Sequence, residues 1–111
     1  SSGTTISFKV DDSSTITSAD STTTLNVGTW YHVVGVRDED STLKLFINGK
    51  QETSVAETAY TIDSSQSVYI GNQYNNSRYF DGQIDDVRIY NYAMTSNQVR
   101  SLYSTGAVTF N

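Results

Sequence analysis

The sequence of 111 residues contains no cysteine and no proline, and only one Met, one Trp and one His. Without cysteine there can be no disulfide and no thiolate metal site, so a hydrophobic core must hold the fold. Basic residues are also scarce: 7 Lys and Arg, scattered singly, stand against 12 Asp and Glu, for a net charge of -5. That balance excludes the clustered positive footprint with which proteins meet nucleic acid or an anionic membrane surface. No apolar run approaches the roughly 20 residues that cross a bilayer, so membrane insertion is not expected. The opening Ser1-Ser2-Gly3-Thr4-Thr5 has neither the basic start nor the apolar stretch of a secretion signal. With no initiator Met either, the sequence predicts a segment of a longer polypeptide, folded as one domain over residues 1–111.

What is abundant is Ser, Thr and aromatic side chains, with 8 Tyr and 4 Phe in a chain poor in Leu, Lys and Glu. These residues suit the pleated, half-buried surface of a sheet better than a helix. An acidic, cysteine-free, Ser/Thr-rich strand protein points to an extracellular or cell-surface setting.

Apolar residues recur with period two along most of the chain. Ile6, Phe8 and Val10 share one face of a strand, Asp11-Asp12-Ser13-Ser14 reads as a turn, and short strands are expected around Ile16 and over Thr22 to Val27. Trp30 to Arg37 is apolar enough to predict a central strand buried on both faces, with Trp30 in the core and His32 in the core or at its rim. Leu43, Leu45 and Ile47 then alternate up to Asn48-Gly49, the dipeptide that a type I′ hairpin turn demands, and Lys50 to Val55 returns. Glu57 to Ser65 reads as a connecting loop. Strands are expected over Ser67 to Gly71 and from Phe80 to Tyr90, the second with a bulge near Asp85-Asp86 where the apolar parity changes.

One helix is expected. Thr95-Ser96-Asn97-Gln98 is a capping box, Met94 and Val99 occupy the positions of a hydrophobic staple, and the helix runs from Ser96 to about Tyr103 before Gly106 stops it.

Between the strands, the loop from Asn72 to Tyr79 gathers groups suited to a sugar. Tyr74 and Tyr79 offer faces for C–H stacking, and Asn72, Asn75, Asn76 and Arg78 offer planar hydrogen bonding to hydroxyls. The alternative is an ordinary solvated loop whose tyrosines pack on each other. Asn75-Asn76-Ser77 is also a glycosylation sequon. Asp38-Glu39-Asp40 reads as a solvated hairpin tip, and His32 has no nucleophile signature beside it.

Five blocks in sequence order carry a resemblance. Gly28-Thr29-Trp30-Tyr31-His32-Val33-Val34-Gly35-Val36, Leu43 to Gly49, Val68-Tyr69-Ile70-Gly71, Phe80 to Asn91 with its Gly-x-Ile-Asp-Asp-Val-Arg-Ile-Tyr core, and Ala93 to Tyr103 resemble the laminin-G-like subgroup of the concanavalin A-like lectin and glucanase superfamily. The resemblance implies an all-β fold, an antiparallel jelly-roll sandwich with one short C-terminal helix, usually extracellular and usually a module of a larger protein. It also implies that Asp85 helps to hold a structural calcium, the alternative being a carboxylate that caps amides at the bulge. In that family several more strands precede the tryptophan segment, so this domain is expected to be shortened at its N-terminal side and to leave an open sheet edge.

Hydrolysis as in the glucanase relatives needs closely spaced carboxylates on one strand. Glu39, Glu52 and Glu57 form no such pattern, and no catalytic residue is expected. The function expected first is non-enzymatic recognition of a glycan or a cell-surface partner. The alternative is assembly, with the open edge completed by a partner chain or by self-association, as in a surface fibre or appendage.

Overall fold

A computed structural model describes residues 4–58, 68–72 and 78–107. Five strands and one helix lie within them: β1 (Ser7–Asp11), β2 (Ile16–Asp20), β3 (Val33–Arg37), β4 (Thr42–Ile47), β5 (Lys50–Ala56) and α1 (Ser96–Ala107). Every pairing is antiparallel. β1 pairs with β2 in one sheet, and β3, β4 and β5 lie in that order in the other. The architecture is the expected all-β sandwich with a single C-terminal helix.

The hairpin of β4 and β5 forms as Asn48-Gly49 requires, with φ of +51° and +77° at the two turn residues. Asn48 also locks the turn to the start of β3: its backbone N–H donates to the His32 carbonyl at 2.8 Å, and its Oδ1 accepts from the His32 N–H at 2.9 Å. A register shift at Leu45/Phe46 leaves Glu52 as the extra residue on β5. Glu52 reaches across to the segment after β2, accepting the Thr23 amide at 2.8 Å. Its carboxyl is held below the usual range by the Thr23 and Thr22 hydrogen bonds.

The three-stranded sheet is covered on both faces. Leu43 and Leu45 pack with Val10 and Ala19 from the smaller sheet, joined by Ile6, Phe8 and Val55. On the opposite face Phe46 and Val36 meet Val99 of α1, with Val34 and Met94 beside them. The capping box forms: the Thr95 N–H donates to Gln98 Oε1 at 2.9 Å and the Gln98 N–H to Thr95 Oγ1 at 3.2 Å. The helix continues past the expected stop, through Gly106 to Ala107, and Thr105 donates its hydroxyl back to the Ser101 carbonyl.

Several expectations are corrected. β2 forms around Ile16, but it buries Thr17 and Ala19 while Ile16 itself is 62% exposed. The strand expected over Thr22 to Val27 reduces to one bridge between Thr4 and Leu25. The segment from Trp30 becomes regular only at Val33, and Trp30 is 58% exposed rather than a core residue. The reason is topological: β3 has β4 on one side and no strand on the other among the described residues, so it is an edge.

The same lack of a neighbour explains the largest departure. Residues 68–71 and Phe80 to Tyr90 carry strand-like alternation, yet form no strand among the described residues. A strand exists through its ladder, and here one backbone bond, Phe80 N–H to the Gly71 carbonyl at 2.7 Å, joins the two segments. The bulge expected near Asp85-Asp86 has no ladder to interrupt among the described residues, although Asp86 has a φ of +54°.

Candidate functional site

The unpaired side of β3 opens into a groove of about 700 Å³. One wall is the β3 edge from His32 to Glu39, the other the segment from Asp85 to Met94, with Phe8 on the sandwich side and Leu102 on the helix side. Phe8 covers Gly35 so closely that a Cβ there would stand 2.7 Å from the ring. The groove volume falls within the range of ordinary ligand sites, which is about 300–1,000 Å³.

Electrostatics along the groove are largely settled within the chain. Arg37 Nε pairs with Glu57 Oε2 at 2.7 Å, Lys44 with Asp38 at 3.3 Å, and Arg88 grips Asp86 with bonds of 2.8 and 3.1 Å. Desolvation pushes the Asp38 carboxyl up, but hydrogen bonds from the Thr42 amide, Lys44 and the Asp40 amide outweigh it and hold the group low. Among the described residues Glu39 has no ion pair, and Asp85 accepts the amide of Asp86 at 2.8 Å.

His32 stands at the start of β3 with its ring 5.7 Å from that of Tyr103. Its Nδ1 is buried and has no hydrogen-bond partner. Burial holds the imidazole below its usual range, a push that Asp86 opposes and Arg88 reinforces. Because the folded state binds this proton more weakly than the unfolded chain, stability should be constant above about pH 6.5 and fall as pH drops below it. A second decline should begin lower, where the depressed carboxyls of Asp38, Asp20 and Glu52 protonate. Thermal melting against pH should therefore show two stages. His32→Gln should flatten the upper stage and leave the lower one; an unchanged upper stage would assign it to another group.

Of the residues singled out for sugar binding, Tyr74, Asn75 and Asn76 lie outside the described residues. Tyr79 is 68% exposed, Arg78 is exposed with a φ of +53°, and Asn72 follows Gly71 at the other side of the loop. Asp85 Oδ1 accepts the amide of Asp86 at 2.8 Å. Among the described residues no three His, Asp or Glu come together as a metal site. The neighbouring Asp86 carboxylate is paired with the Arg88 guanidinium.

What sequence reasoning missed is the groove and the apolar surface around it. Val68, Tyr69, Ile70, Phe80, Ile84, Val87 and Ile89 are all exposed, Ile89 to 81%. Their alternation is visible in the sequence, but only the topology shows that no strand covers them among the described residues.

A family model described as the concanavalin A-like lectin/glucanases superfamily, of laminin G type, matches residues 1–100. Usherin from Rattus norvegicus is 30% identical over 67% of the chain, and usherin from Mus musculus 30% identical over 68%; the chain spans 2% of the length of either. Among solved structures, an S-layer domain-containing protein from Clostridium thermocellum superposes with a TM-score of 0.63 at 24% identity, over 89% of this chain and 51% of that one.

Proposed function

The chain belongs to the concanavalin A-like lectin/glucanases superfamily, and from that membership we propose that it is a non-enzymatic recognition module of the cell exterior that engages a polypeptide partner across its uncovered side. The observation that carries this reading is the set of exposed apolar residues Val68, Tyr69, Ile70, Phe80, Ile84, Val87 and Ile89, the last of which lines the groove beside β3. Patches of this kind mark interaction surfaces in folded proteins. The acidic, Ser/Thr-rich composition supports an exterior setting.

Two of the three glutamates are tied within the fold: the Glu57 side chain is only 1% exposed and ion-paired with Arg37, and Glu52 is bonded to Thr22 and Thr23, which leaves Glu39 as the one glutamate lining the groove. A glycan contact at the Asn72 to Tyr79 loop is the second reading, favoured by the exposure of Tyr79.

Val87→Lys with Ile89→Lys separates a contact surface from a concealed core. If these side chains serve a partner, the double variant keeps its melting profile to within about 0.5 kcal/mol and loses binding of a fluorescent apolar dye. A loss of several kcal/mol in the variant would place them in the core and remove the surface. Saturable binding on a glycan array, abolished by Tyr79→Ala, would move the contact to the loop.

A further inference from the structure

Independently of that reading, we infer that Asn48 is a self-modifying site: the native turn keeps its carboxamide inert, opening of the joint between the β4–β5 turn and α1 lets the residue convert itself to isoaspartate, and that product keeps the joint open.

The chemistry is contained in one dipeptide, the single Asn-Gly pair of the sequence. In an unstructured chain the Gly49 nitrogen attacks Asn48 Cγ. A bond forms between those two atoms, the Cγ–Nδ2 bond breaks, and ammonia leaves with the proton given up by the Gly49 N–H. Water then opens the resulting five-membered ring. Cleavage at Cγ leaves an ordinary aspartate at position 48. Cleavage at the main-chain carbonyl leaves isoaspartate, whose backbone runs through Cβ and Cγ and is one atom longer. Nothing is oxidised or reduced, and water is the only co-reactant. Glycine favours the first step because no side chain shields its nitrogen.

The fold both requires this reactive pair and disarms it. The turn needs φ of +51° at Asn48 and +77° at Gly49. A Cβ on Gly49 would stand 3.1 Å from Tyr103 Cδ2 and 3.4 Å from Arg100 Cα, so packing under α1 also demands glycine. Ring closure, however, needs the Gly49 nitrogen and Asn48 Cβ on the same side of the Cα–C bond. In the left-handed conformation, with ψ of about +47°, tetrahedral geometry at Cα puts that nitrogen nearly opposite Cβ. The carboxamide is held as well, since Asn48 Oδ1 accepts the His32 N–H at 2.9 Å, while the Asn48 N–H donates to the His32 carbonyl at 2.8 Å. Reaction therefore requires the turn to leave its conformation, which releases His32 and lifts Gly49 from Tyr103. Asn48 is exposed, so the water for the second step is at hand.

The two products behave differently. Aspartate keeps the backbone length and still offers an oxygen to the His32 amide. Isoaspartate puts an extra atom into a two-residue turn whose flanking residues, Ile47 and Lys50, are paired in the ladder. It cannot restore both bonds to His32 with Gly49 beneath Tyr103. Tyr103 is the gate of the reaction, because its side chain packs on Gly49 and its ring lies 5.7 Å from that of His32.

The test incubates the chain at neutral pH, digests it, and follows the peptide that carries Asn48 by mass and by enzymatic methylation of isoaspartate. The capped pentapeptide Phe-Ile-Asn-Gly-Lys is the unfolded reference. The folded chain should react at least about a hundredfold more slowly than the peptide, because slow chemistry samples only the open fraction, and urea should erase the difference. Exchange of the His32 amide in the same chain should give the same open fraction to within about threefold. Tyr103→Ala should speed the reaction about tenfold, whereas Val10→Ala, which weakens the core between the two sheets, should leave it unchanged. Should Tyr103→Ala not fold, the agreement between His32 exchange and reaction rate carries the test. Chain aged in urea and refolded should show His32 exchange faster by about tenfold or more in its isoaspartyl fraction, with Asn48→Asp retaining the slow exchange. Reaction of the folded chain at the peptide's rate, equal acceleration by Val10→Ala, or unchanged His32 protection in the isoaspartyl chain overturns the inference.

Discussion

Phe46→Ala should remove about 3–5 kcal/mol of stability, a large share of the 5–15 kcal/mol typical of a domain. Phe46 is 1% exposed and sits on the helix-facing side of β4 against Val36 and Val99, with Val34 and Met94 closing around it. Truncation opens a cavity at the joint between sheet and helix, and the backbone ladders on both sides of β4 prevent that space from collapsing. Urea unfolding followed by far-ultraviolet circular dichroism should show a lower midpoint, with the helical signal lost first. Isolated helices of about 12 residues are marginal in water, and α1 depends on this face. A loss near 1 kcal/mol, or a helical signal that survives, would mean that α1 is not anchored through Phe46.

Gly35→Ala should cost about 1–3 kcal/mol through overpacking, although alanine is ordinarily the gentlest substitution for glycine in a strand. The added methyl would stand 2.7 Å from the Cδ1 and Cγ atoms of Phe8, closer than carbon atoms approach. Either the ring leaves its place over β3 or the two sheets separate locally, and both loosen the cluster of Val10, Ala19, Leu43 and Leu45 that Phe8 supports. Double-mutant analysis checks the mechanism: with Phe8→Leu in the background, Gly35→Ala should be distinctly milder, giving a coupling of about 1 kcal/mol. Simple additivity would show that the glycine answers to something other than the ring. Gly35 and Phe8 both line the groove beside β3, so the same packing also shapes its wall.

Local signals were the ones that could be read without coordinates. Asn48-Gly49 specifies its turn because both residues tolerate positive φ, and Thr95 to Gln98 specifies a helix start because two side chains satisfy two orphan amides within a single turn. The face shared by Ile6, Phe8 and Val10 also emerged as expected. Such features depend on residues a few positions apart, whose chemistry is complete in the sequence. The family likeness drew on this local grammar as well, repeated in the right order over nearly the whole span from Gly28 to Tyr103.

The sequence therefore determined the strand class, the hairpin and the capped helix. Tertiary structure decided which apolar residues became core. Trp30, Val87 and Ile89 carry the same hydrophobic signal as Leu43 and Phe46, yet they are exposed and the latter are buried. Hydrophobicity records what a side chain gains by leaving water, whereas burial requires another element to lie against it. Whether β3 has one neighbour or two is a property of the assembled sheets, and that single fact sets the position of the groove and the exposure of Trp30.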